Sequence, residues 1–210
     1  MVVGKVALTE FAVWTYETRG PIEAIPRLQK ALKANPEEVN LRAMLSNALQ
    51  ESGKLQESVR VLSNIQGEPN LNYWKQFANV CIAITEISDD EQWILKAETF
   101  VQNALQINSE DGSAHDLAAK LAIKQNNPKQ AAEHWAIAGK LHCNAEEWHL
   151  AKVSLAHAIQ MNPSQTDLLV DLARSHIKLG EMENARSMVE SLSQLDPSNR
   201  YLEELQRLVP

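Results

Sequence analysis

Apolar positions between residues 166 and 195 follow the spacing of one helix face, twice in succession. The first face is made of Leu168, Leu169, Leu172, Ala173, His176 and Ile177. The second is made of Ala185, Met188, Val189 and Leu192. Gly180 separates the two faces and Pro197 follows the second, and these residue types end helices. The pattern therefore predicts two amphipathic helices joined by a tight turn, with alanines where the helices approach closely.

The same pattern recurs along the chain. Asn162-Pro163-Ser164 precedes the pair and Asp196-Pro197-Ser198 follows it, so Pro163 and Pro197 are 34 residues apart. Similar faces are formed by Ala24, Leu28, Ala31 and Pro36; by Leu45, Ser46, Leu49, Gly53, Ser58, Leu62, Ile65 and Pro69; and by Trp135, Ala138, Gly139, His142, Ala151, Leu155 and Ala158. A fixed period of this length predicts stacked helix pairs.

Two segments depart from the period. After Trp74, Phe77 and Cys81, the second face of Ala97, Val101 and Ala104 arrives about seven residues late. Ser88-x-x-Glu91 predicts a capping box there, with two helices each lengthened by about a turn. Between Ser109 and Pro128 only one helix fits, and the helix at 128–142 carries the patterns of both a first and a second helix. We expect this helix to pack on both sides.

The repeated residues resemble the tetratricopeptide repeat (TPR) family. The resemblance implies an all-α, right-handed, TPR-like solenoid of about 12 antiparallel helices, with about five repeats and one unpaired helix. The amphipathic segment 198–210 is expected to be a C-terminal capping helix. We predict a single superhelical domain over 1–210 with units at 5–36, 37–69, 70–109, 110–127 (the unpaired helix), 128–163, 164–197 and 198–210.

Composition and charge narrow the functional classes. Only 7 Gly and 8 Pro in 210 residues agree with a helical chain. The net charge is −7 and no dense Lys/Arg stripe occurs, which argues against nucleic acid as a partner. Glu10 interrupts the apolar N-terminal stretch, so neither a signal peptide nor membrane insertion is predicted. We expect a cytoplasmic protein; a soluble domain of a longer envelope or secreted protein is the alternative.

The chain carries little that suggests catalysis. No GxSxG, P-loop, GxGxxG or HExxH motif occurs. His142, Cys143, Glu146, Glu147 and His149 are the densest group of potential metal ligands, but a turn is predicted near Asn144. His142 and His176 also fall where the family has a packing aromatic residue. We therefore predict no enzyme activity, no catalytic residues, no metal and no cofactor.

A binding groove follows from the resemblance. In the family, the first helix of each pair lines the concave face of the solenoid. The corresponding positions here are Asn40, Ala43, Asn47 and Gln50; Asn72, Lys75, Asn79 and Ile82; Glu133, Ala136, Lys140 and Cys143; and Asp167, Val170, Arg174 and Ile177. Lys120 of the unpaired helix is a further candidate. The predicted peptide-binding residues are Asn40, Asn47, Gln50, Asn72, Lys75, Asn79, Lys120, Lys140 and Arg174.

These residues predict a scaffold that binds another protein. An asparagine offers a donor and an acceptor to an extended peptide backbone, and the cations suit an acidic or C-terminal segment. We predict a peptide or helical segment in the concave groove. The alternatives are a self-assembling oligomeric scaffold, or a targeting or regulatory TPR domain of a larger enzyme or of a secretion or assembly component.

Overall fold

A computed structural model describes residues 2–209, with side chains from Gly4 onward. The described part is all-α, and within each of two compact units successive helices pack antiparallel. The helices are α1 (Val2–Arg19), α2 (Pro21–Ala34), α3 (Val39–Glu51), α4 (Leu55–Ser63), α5 (Leu71–Ile84), α6 (Gln92–Ile107), α7 (Gly112–Lys124), α8 (Pro128–Asn144), α9 (Trp148–Met161), α10 (Thr166–Lys178), α11 (Met182–Leu195) and α12 (Leu202–Leu208). The predicted fold class and its 12 helices are confirmed.

The chain divides into two compact units, Met1–Ser109 and Glu110–Pro210. In the first unit, α1, α2 and α3 share a core of four alanines and four leucines, against which Val61 of α4 packs: Ala12, Ala24, Leu28, Ala31, Leu41, Leu45, Ala48 and Leu49. The alanines let helix backbones approach, and the leucines fill the remaining volume. Burying each leucine contributes about 1.5–3 kcal/mol. Aromatic rings join α5 to α6, with Phe77 and Phe100 stacked at 4.1 Å between centroids.

The second unit contains α7 to α12 and two apolar clusters. One joins α7, α8, α9 and α10 around Trp135 and Leu155, and the other joins α10, α11 and α12 around Leu192 and Leu205. Gly139 allows α8 and α9 to touch, because a Cβ there would lie 2.5 Å from Cγ of Leu155. The segment expected to act as a cap contains α12, which packs on α10 and α11.

Helix α8 packs against both α7 and α9, as its double pattern predicts. The helix predicted at 110–127 thus has α8 as its neighbour, and α8 is shared between two antiparallel contacts. Residues in the left-handed region make the turns on both sides of α8, Asn126 with φ 57° and Glu146 with φ 59°. Gly53 (φ 77°) and Gly180 (φ 74°) occupy the same place after α3 and α10. In each turn, the residue after the left-handed one donates its N–H to the carbonyl of the residue five positions before it. This hydrogen bond closes the end of the helix.

The late start of α6 corrects one prediction. Ser88 and Glu91 do not form a capping box. Instead, Ser88 Oγ accepts from the backbone N–H of Asp90 at 3.3 Å, and the Asp90 carboxylate accepts from that of Gln92 at 3.0 Å. Helix α5 ends at Ile84, so the extra residues form the loop 85–91 instead of lengthening α5. Two consecutive side chain–backbone hydrogen bonds, each between residues two positions apart, stabilise this loop as a turn.

Candidate functional site

Four amide side chains lie in a row on α3 and α5 of the first unit: Asn47, Gln50, Gln76 and Asn79. Oε1 of Gln50 accepts from Nε2 of Gln76 at 2.9 Å and from Nδ2 of Asn79 at 3.2 Å. Three members, Asn47, Gln50 and Asn79, belong to the predicted set; Gln76 does not. We call these four residues the amide row.

The row continues onto α1 through Asn47. Its Nδ2 donates to the Tyr16 hydroxyl at 2.6 Å and to Oε1 of Glu51 at 3.0 Å. Burial raises the pKa of Tyr16, and the hydrogen bond from Asn47 opposes that rise. Tyr16 therefore stays a neutral hydroxyl at physiological pH. Asn47 thus links α1 to α3, whereas the bonds of Gln50 link α3 to α5.

All four amides are half-buried, so they are accessible at one edge and fixed at the other. Within the described residues, no further group bonds Oδ1 of Asn47, Nε2 of Gln50, Oε1 of Gln76 or Oδ1 of Asn79. Gln76 reaches Ser46 Oγ only at 3.4 Å. The row therefore offers both acceptors and donors, and bonds among Gln50, Gln76 and Asn79 fix three of its four members.

The other predicted residues of the first unit have different surroundings. Oδ1 of Asn40 accepts from Asn70, whose own Oδ1 caps the start of α5 by accepting from the N–H of Tyr73. Asn72 is exposed on α5, and Lys75 is half-buried one turn further along. Ala43 and Ile82, also at predicted groove positions, are buried.

Lys120, Lys140 and Arg174 belong to the second unit, so the nine predicted residues do not form one cluster within either unit. Lys120 and Lys140 are exposed. Arg174 is directed toward the capping helix, where its guanidinium lies 3.5 Å from Glu204 and 4.5 Å from the centroid of the Tyr201 ring. Part of its charge is therefore already neutralised by α12. The assignment of these nine residues to peptide binding stays a prediction.

A second polar network surrounds His142 in the second unit. Its Nε2 lies 3.0 Å from Asp116, and its Nδ1 lies 2.6 Å from Glu147. The other Asp116 oxygen accepts from the Ser154 hydroxyl at 2.6 Å. The ring is 1% exposed and lies against Gly112, where an added Cβ would be 2.8 Å from the imidazole.

Opposing effects act on the pKa of His142. Burial alone would lower it, but hydrogen bonds and charge from Asp116 and Glu147 outweigh burial and raise the pKa. The His142 ring thus bridges two carboxylates within the second unit, and their charge favours its protonated form. The predicted location of His142 at a packing position is correct, whereas its carboxylate partners could not be recognised from the repeat pattern.

Two further histidines meet between α7 and α8. Nδ1 of His115 lies 3.0 Å from Nδ1 of His134, so one ring donates and the other accepts. Burial lowers the pKa of His134, and the neighbouring His115 lowers it further. In the part of the chain that the structure describes, no group of three or more His, Cys, Asp or Glu residues is arranged to hold a metal ion.

Between residues 2 and 209, no helix combines the length and the apolar character needed to cross a bilayer.

The comparisons with known proteins agree with this architecture. The family described as "Tetratricopeptide repeat" matches residues 145–208. No curated protein matches the sequence. Among solved structures, TTC0263, a thermophilic TPR protein of Thermus thermophilus, is 13% identical over 97% of this chain and 98% of its own, with TM-score 0.55.

Two other solved structures share the fold at low identity. PilF of Pseudomonas aeruginosa is 14% identical over 97% of this chain and 96% of its own, with TM-score 0.52. A chain of the APC/C hetero-tetramer Cut9–Hcn1 is 10% identical over 98% of this chain, with TM-score 0.51. This chain spans 43% of the length of that one.

Proposed function

We propose that the chain, whose residues 145–208 match the tetratricopeptide repeat family, binds an extended peptide segment of another protein along the amide row of its first unit. TPR domains are generally protein-interaction modules. The proposed function is non-catalytic.

The observation that carries the proposal is the double hydrogen bond to Gln50. Because Oε1 of Gln50 accepts from both Gln76 and Asn79, the three side chains are ordered before any ligand arrives. Pre-ordered groups lose little conformational entropy on binding. Three of the remaining amide atoms are acceptors and one is a donor, and an extended backbone offers N–H and C=O groups to both kinds. An extended peptide satisfies such a row whatever its side chains are.

The charge beside the amide row favours an acidic bound segment. Lys75 lies on α5 in the turn before Asn79, so a cation lies close to the amide row. An acidic side chain or a C-terminal carboxylate in the bound segment would add a charge-assisted bond to the backbone contacts.

The test is a selection of peptides from a random library displayed with free and with amidated C-termini, followed by calorimetric titration. We expect Asn47→Ala combined with Asn79→Ala to weaken binding at least about tenfold, the equivalent of losing one or two net hydrogen bonds. Gln102→Ala is the matched control, because Gln102 is an exposed amide on α6, a helix that carries no residue of the amide row. Circular dichroism verifies that all variants are folded.

Equal affinity of the double variant and the wild type would contradict the proposal. Self-association remains the alternative prediction, with Phe11 and Trp14 on α1 exposed at 50% and 45%. Sedimentation of the same samples separates the two, because self-association raises the mass with protein concentration and peptide binding does not.

A further inference from the structure

Arg42 is a buried cation without a carboxylate partner. The side chain is 4% exposed within the first unit. Its Nη1 donates to the carbonyl of Val61 at 2.7 Å, and its Nη2 donates to the carbonyl of Pro36 at 2.9 Å. Nε is buried and bonds nothing among the described residues. No described Asp or Glu forms an ion pair with this guanidinium.

This arrangement is unfavourable as it stands. A guanidinium has five N–H donors and keeps its proton in proteins, so two carbonyls leave most of its donors without a described acceptor and its charge without an opposite charge. Buried charges are ordinarily paired, because transferring an ion out of water costs several kcal/mol. Burial lowers the pKa of Arg42, with an opposing effect from Tyr73.

Arg42 borders a cavity of about 410 Å³. Helices α2, α3 and α4 and the segment that follows α4 form its walls. Lys33 contributes a second cation, Gln29 and Gln66 contribute amides, and Leu32 and Val61 contribute apolar surface. None of the lining residues is acidic. The cavity is in the size range of small-molecule sites, which combine apolar walls with a few polar groups.

We propose that this cavity binds an organic carboxylate with a compact apolar body, whose carboxylate pairs with Arg42 and Lys33. The guanidinium fork matches two carboxylate oxygens, and the leucine and valine surface receives the apolar part of the ligand. A phosphate also suits a guanidinium, but it leaves the apolar walls without a partner. The carboxylate could belong to a free small acid or to the end of a peptide; both present the same chemistry.

The site is separate from the amide row. On α3, Arg42 and Leu45 project from one side of the helix and Asn47 and Gln50 project from another, as the helical period of 3.6 residues requires. Occupancy of the cavity therefore does not depend on peptide binding along the row, and either proposal can fail alone.

The experiment is a titration of the full chain with N-acetyl-leucine, and with N-acetyl-leucinamide as its uncharged counterpart. We expect the acid to bind at least about tenfold more tightly than the amide, as loss of a charge-assisted hydrogen bond implies. The side-chain Nε–H resonance of Arg42, assigned with Arg42→Lys, should shift on addition of the acid. This readout needs no destabilising substitution.

Two lysines on α2 provide matched variants. Lys33→Met removes the cation that lines the cavity, and Lys30→Met removes an exposed cation from the same helix that does not line it. We expect Lys33→Met to weaken N-acetyl-leucine binding several-fold and Lys30→Met to leave it unchanged. Equal effects of the two substitutions would show that only net charge matters and would overturn the site.

Three further arms complete the test. A hexapeptide with a free C-terminal leucine that binds more tightly than N-acetyl-leucine assigns the carboxylate to a peptide, and the reverse order assigns it to a small acid. Binding of inorganic phosphate without binding of either carboxylate would overturn the proposed ligand class. Failure of both carboxylates to bind, or equal binding of N-acetyl-leucine and its amide, would overturn the proposal altogether.

Discussion

Arg42 in the first unit and His142 in the second are both buried, and their surroundings differ in kind. His142 lies between Asp116 and Glu147, and Ser154 completes the bonding of Asp116. Arg42 has two backbone carbonyls and no carboxylate. The cavity beside Arg42 is lined by a second cation, whereas His142 is covered by Gly112.

The difference indicates different roles for the two side chains. A buried cation whose bonds and charge are both satisfied by the protein stabilises one arrangement of helices, here the packing of α7, α8 and α9. A buried cation with unbonded N–H donors is not fully stabilised by the protein. It gains further interaction free energy when another group binds to those donors. The first arrangement is complete without a ligand, and the second is completed by one.

A repetition in the second unit supports the structural role of His142. His176 and Glu181 follow His142 and Glu147 by 34 residues, and in both pairs Nδ1 lies 2.6 Å from the carboxylate. The backbone N–H of each glutamate also donates to the carbonyl of the same histidine at 2.9 Å. Each pair therefore closes a turn between two helices through both backbone and side chain. Lys152 adds a third contact to Glu181 at 2.6 Å.

The largest expected effect is the loss of stability when His142 is replaced. His142→Ala leaves Asp116 without its cation and opens a cavity, so we expect the free energy of unfolding to fall by about 3 kcal/mol. Arg42→Met loses two hydrogen bonds but also removes an uncompensated charge, so we expect a loss of about 1 kcal/mol. Urea unfolding followed by circular dichroism measures both. A larger loss for Arg42→Met would mean that Arg42, too, is mainly structural.

The next effect is the dependence of stability on pH. Since the pKa of His142 is higher in the folded chain than its ordinary value of 6.5, its contribution is fully present below about pH 6.5 and is lost as pH rises through the folded pKa. His134, whose pKa is lowered, contributes in the opposite sense, so its stabilisation is lost as pH falls below 6.5. One proton limits each slope to about 1.4 kcal/mol per pH unit.

Glu147→Gln tests this assignment. The amide removes one of the two charges that raise the pKa of His142, so we expect the decline in unfolding free energy above pH 6.5 to end at a lower pH and to be smaller in total. Glu146→Gln is the control, because Glu146 is an exposed neighbour without a hydrogen bond to the ring. The same shift in both variants would show that the effect comes from net charge instead of the His142 network.

The smallest expected effect concerns the turn that brings Glu147 to His142. Glu146 has φ 59°, a left-handed conformation that costs a non-glycine residue about 1–2 kcal/mol. Glycine removes this strain but has more entropy to lose, so we expect Glu146→Gly to raise the free energy of unfolding by up to about 1 kcal/mol. Asn126→Gly, at φ 57°, should gain less because asparagine tolerates this region. Thermal unfolding of both variants tests the ranking.

The helices of both units were predictable because each depends on spacing along the chain. Leu168, Leu172 and Leu192 recur at helical intervals, Gly180 marks the turn between them, and the 34-residue period places one pair beside the next. Local signals of this kind survive in any tertiary context. The double pattern of 128–142 likewise predicted the two-sided packing of α8.

The contents of the two polar sites were harder to predict. Asp116 and His142 are 26 residues apart, and the sequence does not specify which helix faces meet. Gln76 was missed because it lies beside the expected groove positions. Arg42 was also missed, although a signal existed: it is a charged residue three before Leu45 and seven before Leu49, on the buried face of α3. Trp14 has the pattern of a packing residue but is 45% exposed.

The sharing of α8 between α7 and α9 also has a consequence for how the second unit opens. Arrays of paired helices fray from their ends, one hairpin at a time, because each pair contacts only its neighbours. Neither the α7–α8 hairpin nor the α8–α9 hairpin can detach while the other stays intact, since both need the same helix. We therefore expect these three helices to unfold as one cooperative block.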